Sequence, residues 1–228
     1  LKLKIFSAIV ALTTLLAFST NIYAHPGRLD QNGGHNCSEA SKAKGLCDGY
    51  HYHNFKDVPA AFWAKKEIEY LSYTSIIKGY PDGTFKPNHN VTRIQAATMI
   101  VRALNLDTKN RPDPKLADVK KGQYGYDVIA TVIAEGIFPK EAKFRPHEGL
   151  KRGEMAYVLT HSYDLTGTYH GQIKDVSGSL LTDVKALAGN GITNIYPDGT
   201  YRPYNVVNRG QFSTFLARVI DPNFRVTN

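Results

Sequence analysis

Ile77-Lys78-Gly79-Tyr80-Pro81-Asp82-Gly83-Thr84-Phe85-Lys86-Pro87, followed shortly by Thr92-Arg93-Ile94-Gln95, is the stretch that sets the fold, because the chain writes it again. Tyr196-Pro197-Asp198-Gly199-Thr200-Tyr201-Arg202-Pro203 with Asn208-Arg209-Gly210-Gln211 is a close copy. Phe144-Arg145-Pro146 with Lys151-Arg152-Gly153-Glu154 is a weaker one. The aromatic-basic-Pro triplets are spaced 59 and 57 residues apart, and Arg93, Arg152 and Arg209 keep the same spacings. Asp57-Val58, Asp118-Val119 and Asp175-Val176 recur at 61 and 57. Three landmarks held in step define an internal repeat.

Each unit reads as helix, turn-rich loop, helix. In the first, Asp57 is expected to cap a helix whose apolar face includes Ala64, Ile68 and Leu71. Tyr80-Pro81-Asp82-Gly83 suits a type I turn, with Pro second and Gly fourth. Thr92 and Gln95 form a capping box, and Ala97, Val101 and Leu104 give the second helix its buried face. The third unit repeats this with Val184 and Leu187, then Asn208 and Gln211, then Phe212, Phe215, Leu216 and Val219. The second unit departs: Gly136-Ile137-Phe138-Pro139 replaces the long turn, and Lys151 stands at the cap. Its helices still read well, through Ile129, Val132 and Ile133, then Met155, Val158 and Leu159. The fold class expected is mainly α, with repeats over residues 55–109, 115–168 and 173–222 and linkers at 110–114 and 166–171.

These motifs resemble the S-layer homology (SLH) domain over about 170 residues. The resemblance implies a pseudo-threefold unit of three copies. It also implies binding to the bacterial cell wall, to anionic secondary wall polysaccharide bearing pyruvate ketals or to peptidoglycan, in grooves between copies. The family's arginine maps onto Arg93, Arg152 and Arg209, its turn glycines onto Gly79, Gly83 and Gly199, and its first-helix aromatic onto Trp63 and Tyr124. The third copy has Ser179 near that last place, and the second lacks the turn motif. A guanidinium at the first turn of a helix, with backbone N–H groups beside it, is a fork matched to a carboxylate. Arg93 and Arg209, after intact turns, are expected to contribute more than Arg152. Asp57, Asp118 and Asp175 are candidates both for capping and for accepting from sugar hydroxyls. Trp63 divides between core and groove wall.

Composition narrows the partners. The chain is 42% hydrophobic and 21% charged, enough to bury cores, and its two Cys exclude a disulfide-dense scaffold. A net charge of +8 points to an anionic partner: nucleic acid, membrane surface or acidic polysaccharide. No apolar run reaches the roughly 20 residues that span a bilayer. Lys2 and Lys4, the apolar run Ile5 to Phe18, and Ile22-Tyr23-Ala24 read as an export leader over residues 1–24. Its two lysines would take the charge from +8 to +6. Export makes nucleic acid a poor partner and wall polymer a good one. The processed chain is then not transmembrane, and is expected to act as a monomer.

Residues 25–54 hold His25, His35, His51 and His53 and both Cys37 and Cys47, with few large apolar side chains. Segments this small need a disulfide, a metal or a partner to fold. A Cys37–Cys47 bridge would contribute roughly 2.5–3 kcal/mol by loop-closure entropy. In Tyr50-His51-Tyr52-His53 an extended backbone puts both His on one face. With His25, Asp30 or His35 they could complete a zinc site. Thiolate ligation ranks last, because the Cys spacing is not that of common zinc sites. The pattern resembles the small YHYH module of secreted bacterial proteins, with Leu29 where that module has Thr.

The function expected is a non-catalytic wall anchor at the cell surface of a bacterium, displaying this module. The alternatives are a metal-dependent extracellular hydrolase or a metal-binding protein using the His cluster. No G-x-S-x-G or H-E-x-x-H pattern supports the hydrolase.

Overall fold

The computed structural model describes residues 29–30, 34–43 and 49–226, so the leader, His25 and Cys47 lie outside the described residues. In chain order come β1 (Gly34–Asn36), α1 (Glu39–Ala43) and β2 (Tyr50–Tyr52), then six helices. These are α2 (Lys65–Tyr73), α3 (Arg93–Ala103), α4 (Tyr126–Ala134), α5 (Arg152–Ser162), α6 (Gly178–Gly189) and α7 (Arg209–Ile220). The mainly helical, three-unit expectation holds. In the N-terminal part β1 and β2 pair antiparallel, with His35 opposite His51.

The helices pack between units. α3 lies on α4, α5 on α6, and α7 returns to α2. Second helix of one copy against first helix of the next, taken around, closes a ring. Backbone bonds at its centre have the same cyclic sense. Val91 N–H donates to Val207 O, Val207 N–H to Leu150 O, and Leu150 N–H to Val91 O, each at 2.9 Å. Val91, Leu150 and Val207 are fully buried, so these groups would be orphaned if one copy left. Around them the apolar faces expected from periodicity are buried: Ala64, Ile68 and Leu71 in α2, Val184 and Leu187 in α6, Phe212 and Leu216 in α7.

The first-turn amides of α3, α5 and α7 are bonded across the same junctions. Arg93 and Ile94 N–H donate to Glu148 and Pro146 O, both at 3.0 Å. Arg152 and Gly153 N–H donate to Asn205 and Pro203 O, and Arg209 and Gly210 N–H to His89 and Pro87 O, all at 2.8 Å. Capping boxes form at Thr92 with Gln95 and at Asn208 with Gln211, as expected. Lys151 has no acceptor to offer, so only the reciprocal half forms there, Lys151 N–H to Glu154 Oε2 at 2.9 Å.

The repeated aspartates do not cap helices, which corrects the sequence expectation: α2 starts only at Lys65, with Ala64 at its cap. Asp57 instead accepts Phe85 and Lys86 N–H, both at 2.7 Å. Asp118 does the same for Phe144 and Arg145, and Asp175 for Tyr201 and Arg202. Lys86, Arg145 and Arg202 have φ near +57°, a left-handed conformation that costs a side-chain residue about 1–2 kcal/mol. Two charge-assisted bonds per carboxylate offset this cost. Asp57→Ala is therefore expected to lower unfolding free energy by about 2 kcal/mol, seen as a lower urea midpoint at unchanged slope. An unchanged midpoint would show that the bent loop holds itself.

Candidate functional site

The three arginines are buried beneath the junctions, with Arg93 only 3% exposed. Each Nε donates to the carbonyl of the triplet aromatic in the next copy: Arg93 to Phe144 O at 2.7 Å, Arg152 to Tyr201 O at 3.0 Å, Arg209 to Phe85 O at 2.7 Å. The guanidinium also lies over that ring, at 5.1, 4.6 and 4.3 Å to the centroid. The open fork of guanidinium and free amides expected from the sequence is thus absent. Its amides bond neighbouring carbonyls, and its guanidiniums clamp copy to copy.

The clamps differ in charge balance. Arg93 ion-pairs with Glu154. Among the described residues, neither Arg152 nor Arg209 has a carboxylate within ion-pair reach. Arg152 Nη2 reaches Thr193 Oγ1 at 3.4 Å, and Arg209 Nη2 reaches Lys78 O at 3.3 Å. Burial lowers the pKa of Arg209, opposed by the nearby Tyr80 and Asp57. Arg152, after the shortened loop of the second copy, clamps the third copy as the other two arginines clamp theirs.

The turn glycines are occupied from within. A Cβ at Gly79 would come within 2.3 Å of the Phe55 ring, so close packing requires that glycine. Gly83 and Gly199 have φ of +80° in turns closed by Gly83 N–H to Tyr80 O and Gly199 N–H to Tyr196 O. The stems of Lys56 and Lys174 lie over them. Asp198, bonded by the Thr200 hydroxyl, the Thr200 N–H and Arg202, has its pKa lowered to about 2. At Asp118 burial raises the pKa, but the Arg145 and Phe144 amides outweigh it and the net shift is downward.

The exposed aromatics stand at the junctions. Trp63 is 57% exposed and touches the Gly210 position, which places it outside the core, at the junction of the third copy with the first. Tyr124 is 86% exposed and precedes Gly125, which abuts Ile94. At the third junction Leu180 replaces the missing first-helix aromatic beside Gly153. Tyr204, 81% exposed, borders the same groove. The sequence reading missed Tyr204; it follows the triplet directly, where the other copies have Asn88 and His147. That groove has a volume of about 340 Å³ and includes Arg93, Glu154, Lys151 and Tyr157.

In the N-terminal part, His35, His51 and His53 come together and could hold a metal, with one ligand atom from each all within 4.8 Å of one another. Burial lowers the pKa of His51, with the charges of His35 and Lys78 adding, against the Gly49 carbonyl. Of the described residues expected to complete the site, His35 joins the cluster and Asp30 does not. Asp30 accepts the Tyr50 hydroxyl at 2.7 Å, because strand alternation puts Tyr50 on the face opposite the histidines. That bond raises the Tyr50 pKa to about 12. Cys37 is buried, and its pairing with Cys47 involves a residue outside the described set. Tyr52 joins the module to the first repeat, its carbonyl accepting Ser72 Oγ at 3.0 Å. Among the described residues no helix is long and apolar enough to cross a membrane.

The S-layer homology domain family matches residues 54–97, 115–156 and 172–213. The S-layer protein EA1 of Bacillus anthracis is 29% identical over 170 residues, covering 72% of this chain and 20% of that protein. An S-layer protein of Bacillus licheniformis is 29% identical over 170 residues, 72% of this chain and 19% of that protein. The amylopullulanase of Thermoanaerobacterium thermosulfurigenes is 25% identical over 171 residues, 70% of this chain and 9% of that protein. The chain thus spans about a fifth or less of the length of these relatives. With three matched segments, each a helix pair closed into one ring with its neighbours, the chain belongs to the S-layer homology domain family and its place is the bacterial cell surface.

Proposed function

We propose that the protein is a non-catalytic cell-wall anchor. Its grooves bind an anionic secondary wall polysaccharide of the pyruvylated kind, and its N-terminal module is held outward as the displayed element. The observation that carries this is the set of exposed aromatics, Trp63, Tyr124 and Tyr204, one at each junction of a rigid, basic ring. Such rings can lie against sugar faces, while Arg152 and Arg209, which pair with no carboxylate among the described residues, lend positive charge from below. Arg93 is the least available of the three, because Glu154 already neutralises it. A wall polymer, rather than nucleic acid, is the anion a surface protein meets, and one ring with three grooves serves as a monomer. The relatives support a separable anchor: the matched segment is 20% of an S-layer protein and 9% of an amylopullulanase. Anchoring needs no cofactor. A zinc-class ion in the N-terminal module would belong to the displayed element.

The test is retention of the protein on purified walls before and after extraction of secondary polymers. Binding to intact walls, lost on extraction and weakened by rising salt, is expected. Equal retention on extracted walls would overturn the polysaccharide assignment in favour of peptidoglycan.

A further inference from the structure

Three imidazoles converge on one point in the N-terminal module. His35 and His51 face each other across the β1–β2 pair, and His53 follows where β2 ends. His53 Nε2 lies 3.0 Å from His35 Nε2 and 3.1 Å from His51 Nε2. The other nitrogens set the tautomers. His35 Nδ1 is 2.9 Å from Asn36 O, and His51 Nδ1 is 3.2 Å from Gly49 O. A carbonyl only accepts, so both Nδ1 atoms carry the proton. In a neutral ring each Nε2 then holds a lone pair. Both lone pairs are aimed at His53 Nε2, which has at most one proton to share. A cation at the centre would draw on all three nitrogens at once.

We propose that His35, His51 and His53, the three ligands gathered among the described residues, bind one divalent transition ion of the zinc class through their Nε2 atoms. Zinc–nitrogen bonds of about 2.0–2.1 Å in a tetrahedron put ligand nitrogens about 3.3 Å apart, so the two separations from His53 need to spread by only a few tenths of an ångström, and all three ligand atoms already lie within 4.8 Å of one another. The all-nitrogen donor set selects zinc, copper, nickel or cobalt over calcium and magnesium, which take oxygen. The Nδ1–H bonds to backbone carbonyls are the outer contacts that orient metal-binding imidazoles. The ion also has a structural consequence. His53 is 1% exposed and stacked on Tyr73 of α2, at 4.6 Å between ring centres and 6° between planes. Metal at its Nε2 would tie both strands to the first repeat, so order in a module with little apolar core becomes metal-linked. This inference stands apart from wall binding.

The test is titration of the full chain, stripped by a chelator, with cobalt(II) and then zinc(II). One equivalent of cobalt should produce the visible absorption of a low-symmetry nitrogen site, and one equivalent of zinc should displace it. Zinc should also protect the 34–53 segment from proteolysis. His51→Gln should weaken binding by more than the roughly 10- to 100-fold that losing an outer contact costs. Its helical circular dichroism should be unchanged, because the three-repeat ring does not use this side chain. His161→Gln, a histidine in α5 far along the chain, should bind as the parent does. Absence of the cobalt bands in the parent, or equal affinity in a folded His51→Gln variant, would overturn the site.

Discussion

Arg209→Ala should lower the unfolding free energy by about 3 kcal/mol or more, the largest loss expected from any single change in the ring. The guanidinium joins the third copy to the first, and the chain carries no covalent closure there. Its Nε donates to Phe85 O at 2.7 Å and its Nη2 to Lys78 O at 3.3 Å, while its plane covers the Phe85 ring. Phe85 is fully buried, so water does not readily replace the lost donor. Truncation leaves a buried acceptor unmet and opens space above the ring. Arg209→Lys should recover little, because one ammonium cannot reproduce a planar fork that reaches two carbonyls. Urea unfolding of the parent and both variants provides the measurement. A loss below about 1 kcal/mol for Arg209→Ala would mean that the axial backbone bonds close the ring without the clamp. A large loss also warns against testing wall binding through the arginines, since failure to bind would follow from failure to fold.

The second large effect concerns binding alone. Trp63→Ala and Tyr204→Ala together should reduce affinity for intact walls far more than they reduce stability. Each side chain is mostly exposed, so its removal leaves no cavity and no unmet polar group in the core. An aromatic anchor at the centre of an interface is worth about 2 kcal/mol on truncation, or roughly 30-fold in affinity. The two residues stand at different junctions, so the losses should add if one polymer chain engages both grooves. Glu154→Gln is the complementary change. It frees the charge of Arg93, and binding of an acidic polymer should be unchanged or stronger. A folded double aromatic variant that holds to walls like the parent would remove these side chains from the site. The affinity would then have to come from Tyr124 or from the basic surface.

The repeat was legible because helix faces and turns are local. Ala64, Ile68 and Leu71 have helical spacing, and Tyr80-Pro81-Asp82-Gly83 needs only its own residues to make a turn. Thr92 and Gln95 similarly cap a helix within one turn. The site was less legible. Arginine at a helix start looks like an anion fork when the neighbouring copy is unknown. The pairing of Asp57 with Phe85 and Lys86 also looks like helix capping when the intervening loop path is unknown. Tyr204 passed unnoticed because its exposure depends on where the next helix lies.

Local pattern along the chain specifies the number of units, their helix–loop–helix character, the turn chemistry and the gathering of histidines on one face of a strand. Each of these follows from side chains a few residues apart, where covalent geometry fixes the distances. Tertiary structure alone decided that helices pair between copies and that the arginines lie beneath the junctions. It also decided that Asp30 turns to Tyr50 while His35 crosses to His51 and His53. Those outcomes depend on which buried donor meets which acceptor after ring closure. No spacing along the chain encodes that choice, because the partners, such as Arg209 and Phe85, belong to opposite ends of the repeat array.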